Sequence, residues 1–314
     1  MEIRGKNKMK KFSILHEAIK SSKRIGIEHL NKLKPLDFIK LVKMFNDEMG
    51  GKISDKNASV SLKVDGFACF FGLTEDNRFW LSSANSGPQF KPKAFTSYTI
   101  GRKGVADKIS IAYDELFESL KQNKKLQKIL KDNNTLSGIN VQAECLYNPI
   151  GNKSNGKIKF VAITYDLSKL GDTATFVLIK VQDGDGNVLP NSDKIINSIK
   201  KLSTKEYLFT DPNTSINSVD LNVEIQDVLK FVDKFPDLEK KVLSRKHADR
   251  EVKNLIKDTL IAYQEKMSVK LLKAVGSNKF GDEIEGVVFS LLNGKSFKVI
   301  TKTFKQANKF RPKD

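Results

Sequence analysis

Lys63, Asp65 and Gly66 form the sequence K-x-D-G inside the run SVSLKVDGFACFFG, which spans residues 59 to 72. A lysine amine attacks an electrophile only in its neutral form. An ordinary lysine, with a pKa near 10.4, is about 0.1% neutral near pH 7.5. A nucleophilic lysine therefore needs a rigid seat, partial burial or neighbouring cations that favour the free amine. Apolar residues on both sides of Asp65-Gly66 predict two β-strands meeting in a tight turn, with Asp-Gly supplying the positive φ that two-residue hairpins favour. Lys63 then sits beside that turn, on a firm support.

Other residues able to do chemistry lie further along the chain. Arg78 to Ser83 reads as a third strand and runs into the Gly-Pro loop of Asn85-Ser86-Gly87-Pro88, followed by Pro92 and Phe95. Residues 104 to 132 read as one long amphipathic helix with Ala112, Leu116, Leu120, Leu126 and Leu130 near helical register, an element that covers a core. The predicted strand Ile139 to Tyr147 delivers Glu144, and Ile158 to Asp166 reads as another strand. The final pair carries Ile284-Glu285-Gly286-Val287-Val288-Phe289, a hairpin at Asn293-Gly294, and a returning strand with Lys298 and Lys302 on one face. Asp183-Gly-Asp185-Gly-Asn187 lacks the glycine and glutamate that an EF-hand loop needs at its sixth and twelfth positions, and reads as a hairpin turn.

Around these elements, residues 1 to 51 read as a helical extension. Pro35 opens its second helix and Gly50-Gly51 stops it. His16 and His29 lie in this extension without a second metal-type ligand at suitable spacing. Residues from about 191 to 278 read as a helical insertion. Two cysteines, Cys69 and Cys145, are too few for a disulfide framework, and both fall in predicted strands as small buried residues.

The 314 residues can hold a large core, and no apolar run approaches the roughly 20 residues that span a bilayer. With no signal-peptide pattern at the N-terminus, the expected location is cytoplasmic, or the host cytoplasm if the protein is viral. The 55 Lys and Arg against 37 Asp and Glu leave a net charge of +18, which attracts a polyanion and makes nucleic acid the favoured partner. Only seven of the 55 are Arg, so lysine carries the charge.

The ordered set K-x-D-G, S-G-P, a strand glutamate, aromatic-Asp, E-G-x-V and a lysine-bearing last strand resembles the covalent nucleotidyltransferases, the superfamily of DNA ligases, RNA ligases and mRNA capping enzymes. The resemblance covers about residues 59 to 304 and implies an α+β fold. That fold is a nucleotidyltransferase (ATP-grasp-like ligase) domain of two antiparallel sheets with flanking helices, here spanning 52 to 314. It also implies that Lys63 attacks the α-phosphate of ATP, with Asp65 and Gly66 beside it. Asn85 and Ser86 fall at the sugar- and phosphate-contacting motif, where the family has arginine in place of Asn85. Glu144 and Glu285 contact the nucleotide or hold Mg²⁺, and Lys298 and Lys302 contact phosphate, with Ile300 where the family places its second lysine. Phe160 stacks on the base, with Tyr165 as the alternative and Ala162 as the residue an end-anchored alignment selects.

Within the superfamily, DNA ligases and capping enzymes usually carry K-x-D-G-x-R, and residue 68 here is Ala. They also add an OB-fold after the last motif, and none follows here. Both departures, with the S-G-P loop, favour the RNA ligase branch of editing and phage repair enzymes. The expected function is ATP-dependent RNA ligation: adenylation of Lys63, transfer of AMP to a 5′-phosphate, then attack by a 3′-hydroxyl. The alternatives are a DNA ligase that seals nicks, and a nucleic-acid-binding or virion-associated protein that kept the fold and lost turnover.

Overall fold

The computed structural model describes residues 28–82, 105–160, 162–244 and 249–309. In chain order, β1 (Glu28–His29) precedes α1 (Pro35–Met49), which has proline in its first turn and ends on Gly50 in the left-handed region at φ 57°. Then come β2 (Lys52–Ile53), β3 (Ala58–Lys63), β4 (Phe67–Leu73) and β5 (Phe79–Ser82). The long helix expected over 104–132 is two helices, α2 (Val105–Gln122) and α3 (Lys124–Asp132). Asn123 breaks it: its backbone leaves the helical region, and its side chain accepts the Leu126 amide as an N-cap.

The strand carrying Glu144, β6 (Ile139–Tyr147), has the expected bounds. The single strand expected over 158–166 is instead a hairpin, β8 (Lys157–Phe160) against β9 (Ile163–Asp166), preceded by β7 (Asn152–Ser154). Asn155 and Gly156, at φ 50° and 70°, make the tight turn between β7 and β8. After β10 (Ala174–Asp183), the Asp183–Asn187 segment is the predicted turn. The Asp183 carboxylate accepts the amides of Asp185 and Asn187, so it serves its own loop.

The remaining elements are α4 (Ser192–Lys200), β11 (Tyr207–Thr210), β12 (Asn213–Thr214), β13 (Val219–Asp220), α5 (Asn222–Asp233), α6 (Leu238–Leu243), α7 (Arg250–Ala274), β14 (Gly286–Leu291), β15 (Ser296–Ile300) and α8 (Lys302–Lys309). The 191–278 stretch thus holds strands as well as helices. Among the described residues, no helix is long and apolar enough to cross a membrane.

The chain divides into two compact units, each with a five-stranded sheet, and the class is α+β. The first unit comprises 1–62, 213–277 and 286–302. Its sheet runs β1-β15-β14-β3-β12, with a separate β2-β13 pair. Phe289 and Phe297 stack at 5.1 Å on the antiparallel β14-β15 hairpin, and Phe45 of α1 meets Phe297 edge-on at 5.7 Å.

The second unit comprises 63–212, 278–285 and 303–314. Its sheet runs β11-β10-β6-β4-β5 and is antiparallel except at β10-β11. A parallel pair needs a crossover, and α4 supplies it. One face of this sheet is closed: Phe71 meets Phe176 edge-on, Phe176 stacks on Phe209, and Tyr113 of α2 meets Phe67 and donates its hydroxyl to the Ala68 carbonyl. Cys69 and Cys145 lie on this closed face, fully buried, and burial pushes both thiols well up, away from the reactive thiolate.

Candidate active site

The expected hairpin around Asp65-Gly66 is overturned. β3 belongs to the first unit's sheet and β4 to the second unit's, so the two strands are not paired with each other. Neither Asp65 nor Gly66 has positive φ. Gly66 is needed for another reason: a Cβ there would stand 2.6 Å from the backbone oxygen of Cys145, the residue after Glu144. The glycine lets the chain beyond Lys63 lie directly against the strand that carries Glu144.

Lys63 opens the second unit, and Glu285 ends one of its segments. The Lys63 Nζ donates to Glu285 Oε2 at 2.5 Å, with the lysine side chain 31% exposed and the glutamate 7%. Glu144, half-buried on β6, faces the same group. Burial first of all pushes its carboxyl up to about 7; the nearby Lys63 ammonium pulls it down, and the Glu285 and Asp65 carboxylates push it up again. One amine and three carboxylates thus share a site, and the three carboxylates repel one another.

Asp65 is held at both ends. Its amide donates to the Tyr165 hydroxyl at 2.8 Å, and its carboxylate accepts the Ala162 amide at 3.1 Å. These bonds tie the segment after Lys63 to the β8-β9 hairpin. The hairpin is itself pinned by the segment that ends in Glu285: the Asp166 amide donates to the Phe280 carbonyl, the Thr164 amide to Glu283, and Tyr165 meets Phe280 edge-on. Gly281, at φ 148°, packs against Tyr165 and Asp166, where a Cβ would come within 3.0 Å of the Asp166 amide. Lys63 and Glu285 are therefore positioned through one shared hairpin.

Tyr165 is 1% exposed and commits its hydroxyl to Asp65, so it is a support and not a surface for stacking on a base. Ala162 contributes its amide. Asn85, Ser86 and the side chain of Phe160 lie outside the described residues. Lys298 sits half-buried on β15 of the first unit. The expectation that Lys302 shares its strand face is overturned: β15 ends at Ile300, and Lys302 opens α8.

The residue that sequence reasoning missed is Tyr165 in its supporting role. Its bond to Asp65 spans 100 positions, and no local pattern marks it. The Asn155-Gly156 dipeptide is the signal from which the turn that builds this part of the hairpin sheet could have been read.

Glu144 and Glu285 fit a divalent cation of the magnesium type, which is held by one or two carboxylates together with substrate phosphates and waters. Among the described residues, no group of three or more His, Cys, Asp or Glu is arranged to hold a metal by itself. Chemically, the site offers a nucleophilic amine with a carboxylate at proton-transfer distance and a second carboxyl that titrates near neutrality.

No family model and no curated protein matches the chain. Among the solved structures that match are those of an RNA ligase from Naegleria gruberi. An apo mutant is 15% identical with a TM-score of 0.40, over 93% of this chain and 58% of that one. A mutant with AMP and Mn is 14% identical with a TM-score of 0.41, over 93% and 59%. A mutant with ATP and Mn is 14% identical with a TM-score of 0.41, over 92% and 58%. This chain thus spans a little under three fifths of those ligase chains.

Proposed function

We propose that this protein is an ATP-dependent RNA ligase working through a covalent Lys63-AMP. The observation that carries the reading is the Lys63 to Glu285 pair at 2.5 Å, with Glu144 and Asp65 grouped around it. The K-x-D-G and E-G-x-V motifs deliver their reactive side chains to one place. An ammonium has no lone pair, so a proton must leave Nζ before attack, and Glu285 Oε2 is placed to take it.

The neutral Nζ then bonds to the α-phosphorus of ATP as the bond to the β-phosphate oxygen breaks and pyrophosphate leaves, and the nitrogen gives up a second proton to the solvent or the leaving pyrophosphate to leave a phosphoramidate. In the second step a 5′-phosphate oxygen of the polynucleotide displaces Lys63, which leaves by taking up the two protons it had lost, and forms a phosphoanhydride with AMP. In the third, a 3′-hydroxyl attacks that 5′-phosphate, loses its proton, and AMP leaves. Glu144 and Glu285 would hold a Mg²⁺ ion, which supplies positive charge against the α-phosphate. Asp65, locked by Tyr165 and Ala162, fixes the direction from which Lys63 approaches. Lys298, Asn85 and Ser86 are assigned to phosphate and sugar contacts, Phe160 to the base, and the working surroundings are cytoplasmic.

The test is intact mass after incubation with ATP and Mg²⁺, with GTP and Lys63→Ala in parallel. The expected result is a gain of one AMP that is lost in the variant. AMP capture by folded Lys63→Ala protein would refute the assignment. Joining of single-stranded 5′-phosphate RNA in preference to a nicked DNA duplex is then expected, and the reverse preference would make the enzyme a DNA ligase.

A further inference from the structure

The helices α3 and α4 of the second unit gather positive charge on their outer side. α3 packs on β4, α4 packs on β10 and β11, and the two helices touch each other. Where they meet, the side chain of Asn191, ahead of α4, donates to that of Asn133, at the end of α3, at 2.8 Å. Leu126 and Leu130 face inward from α3, as do Ile195, Ile196 and Ile199 from α4, and all are buried. At helical periodicity, Lys124, Lys128 and Lys131 then share the outward stripe of α3, and Lys194 and Lys201 that of α4. All five are exposed, as is Lys125.

This charge is not balanced locally. The two helices, with Lys201 as the cap of α4, hold seven lysines against two acids, Asp132 and Asp193. Lys200 turns to Asp211, and Lys128 meets Asp132 at 3.0 Å in an exposed pair that water and salt screen. Lys124, Lys125, Lys131, Lys194 and Lys201 have no carboxylate partner among the described residues. Lys124 and Lys125 also open α3, where the helix dipole favours acids, and no acid stands in that first turn. By contrast, α7 spreads five lysines and one arginine over 25 residues with three acids among them. Cations held together against local preference suit an extended anion.

Position and composition narrow that anion. Asn134, just past α3, donates to the Thr74 carbonyl at 3.0 Å, so α3 ends beside the far end of β4. β4 runs about 20 Å from Phe67, close to Lys63, to Leu73. A ligand reaching both this end of α3 and the reacting amine is therefore a polymer. The outward residues of the two helices, Lys124, Lys128, Lys131, Lys194, Asn197 and Lys201, include no aromatic ring on which an unpaired base would stack. Cations without a stacking surface fit a duplex, whose bases are already stacked inside and whose phosphates carry the contact.

We propose that the α3-α4 face docks the phosphate backbone of a base-paired stem in the polynucleotide to be joined, away from its reacting ends. That the polymer is nucleic acid rests on the ligase reading; the face itself rests on exposure, helical register and unpaired charge.

The experiment is fluorescence anisotropy of a labelled RNA hairpin with a 5′-phosphorylated single-stranded overhang, beside the overhang alone, with the full chain over a range of salt concentrations. The triple change Lys124→Gln, Lys131→Gln and Lys194→Gln should reduce the slope of log K against log salt for the hairpin by about 2 to 3, the loss of three phosphate contacts on a duplex. Binding of the overhang alone and formation of the Lys63 adduct should stay parental. The same three lysines changed to Arg, which keeps the charge, should keep the parental slope. Lys257→Gln, Lys266→Gln and Lys273→Gln on α7 remove equal charge elsewhere and should leave the hairpin slope nearly unchanged. An unchanged slope in the α3-α4 triple would overturn the proposal, as would an equal loss in the α7 triple or an equal loss on the overhang alone. Failure of the parent to form any adduct would strike the ligase reading alone, since the binding slopes do not depend on turnover.

Discussion

Glu144 gives a prediction whose size follows from the site. Its carboxyl is pushed from 4.5 to about 7, chiefly by burial, with Glu285 and Asp65 adding to the rise and Lys63 opposing it. Glu144→Gln keeps the shape and removes the ionisation. The folded value lies above the unfolded one, so the native protein holds its proton after the unfolded chain has released it. Below pH 4.5 both states are protonated and the substitution changes little through this route. As pH rises through 7 the parent loses stability and the variant does not. A difference of about 2.5 pH units at 1.36 kcal/mol each gives about 3 kcal/mol in favour of the variant, most of it developing between pH 5 and 8. At about 2 °C per kcal/mol for a chain of this size, the melting-temperature gap should widen by about 6 °C between those two pH values. Thermal melts without nucleotide, with a ¹³C titration of the Glu144 carboxyl, provide the assay. Parallel shifts at both pH values, or a variant that becomes relatively weaker as pH rises, would refute the reasoning.

Other outcomes follow from neighbouring geometry. Tyr165→Phe leaves the Asp65 amide buried without its acceptor and should cost about 1–3 kcal/mol. As a positioning change it should also slow AMP capture at saturating ATP more than it raises the ATP needed, measured by intact-mass time courses. Gly66→Ala places a methyl 2.6 Å from the Cys145 carbonyl, where only backbone can yield, and should destabilise by about 1–3 kcal/mol in chemical denaturation. Asp211 is buried between Lys200 and Lys279; burial alone would raise its pKa, but hydrogen bonds from the two lysines hold it below the ordinary value. Its stabilising contribution is present above pH 3.8 and fades as pH falls through the lower folded value. Asp211→Asn should therefore lower the melting temperature at pH 7, and the gap to the parent should narrow as pH falls below 3.8.

The legible parts of this site were those in which one local pattern fixes one strand. The strand pattern from Ile139 to Tyr147 gave the strand of Glu144 with its true bounds, and the Asn293-Gly294 turn gave the hairpin that follows Glu285, although its first strand runs Gly286–Leu291 and begins after the glutamate. What was not legible depended on partners far away in the chain. Asp65-Gly66 has the composition of a hairpin turn, and only the sheet order shows that β3 and β4 part company there. The glycine is required by the Cys145 backbone, 79 residues on, and local preference cannot report such a contact. Asn123 could have been read as a helix cap, since Asn at that position accepts the Leu126 amide, but the apolar spacing runs straight through it.

The same contrast explains why the motif of Lys63 was easier to find than its support. The proposed chemistry requires those residue types at Lys63 and Glu285, so their identities show in the sequence. Tyr165 needs only a hydroxyl in the right place on a rigid ring, and a tyrosine in a strand is otherwise an ordinary core residue. Lys180 is harder still. Its side of the sheet is set by one extra residue at Ile179, and the alternating pattern by itself assigns it to the wrong face. In a chain with 55 basic residues, charge makes a polyanion the expected partner but does not say which lysines would meet it. Register decides which side of the sheet a lysine takes, and it places Lys180, through Gln142 and Phe70, on the same face as Glu144.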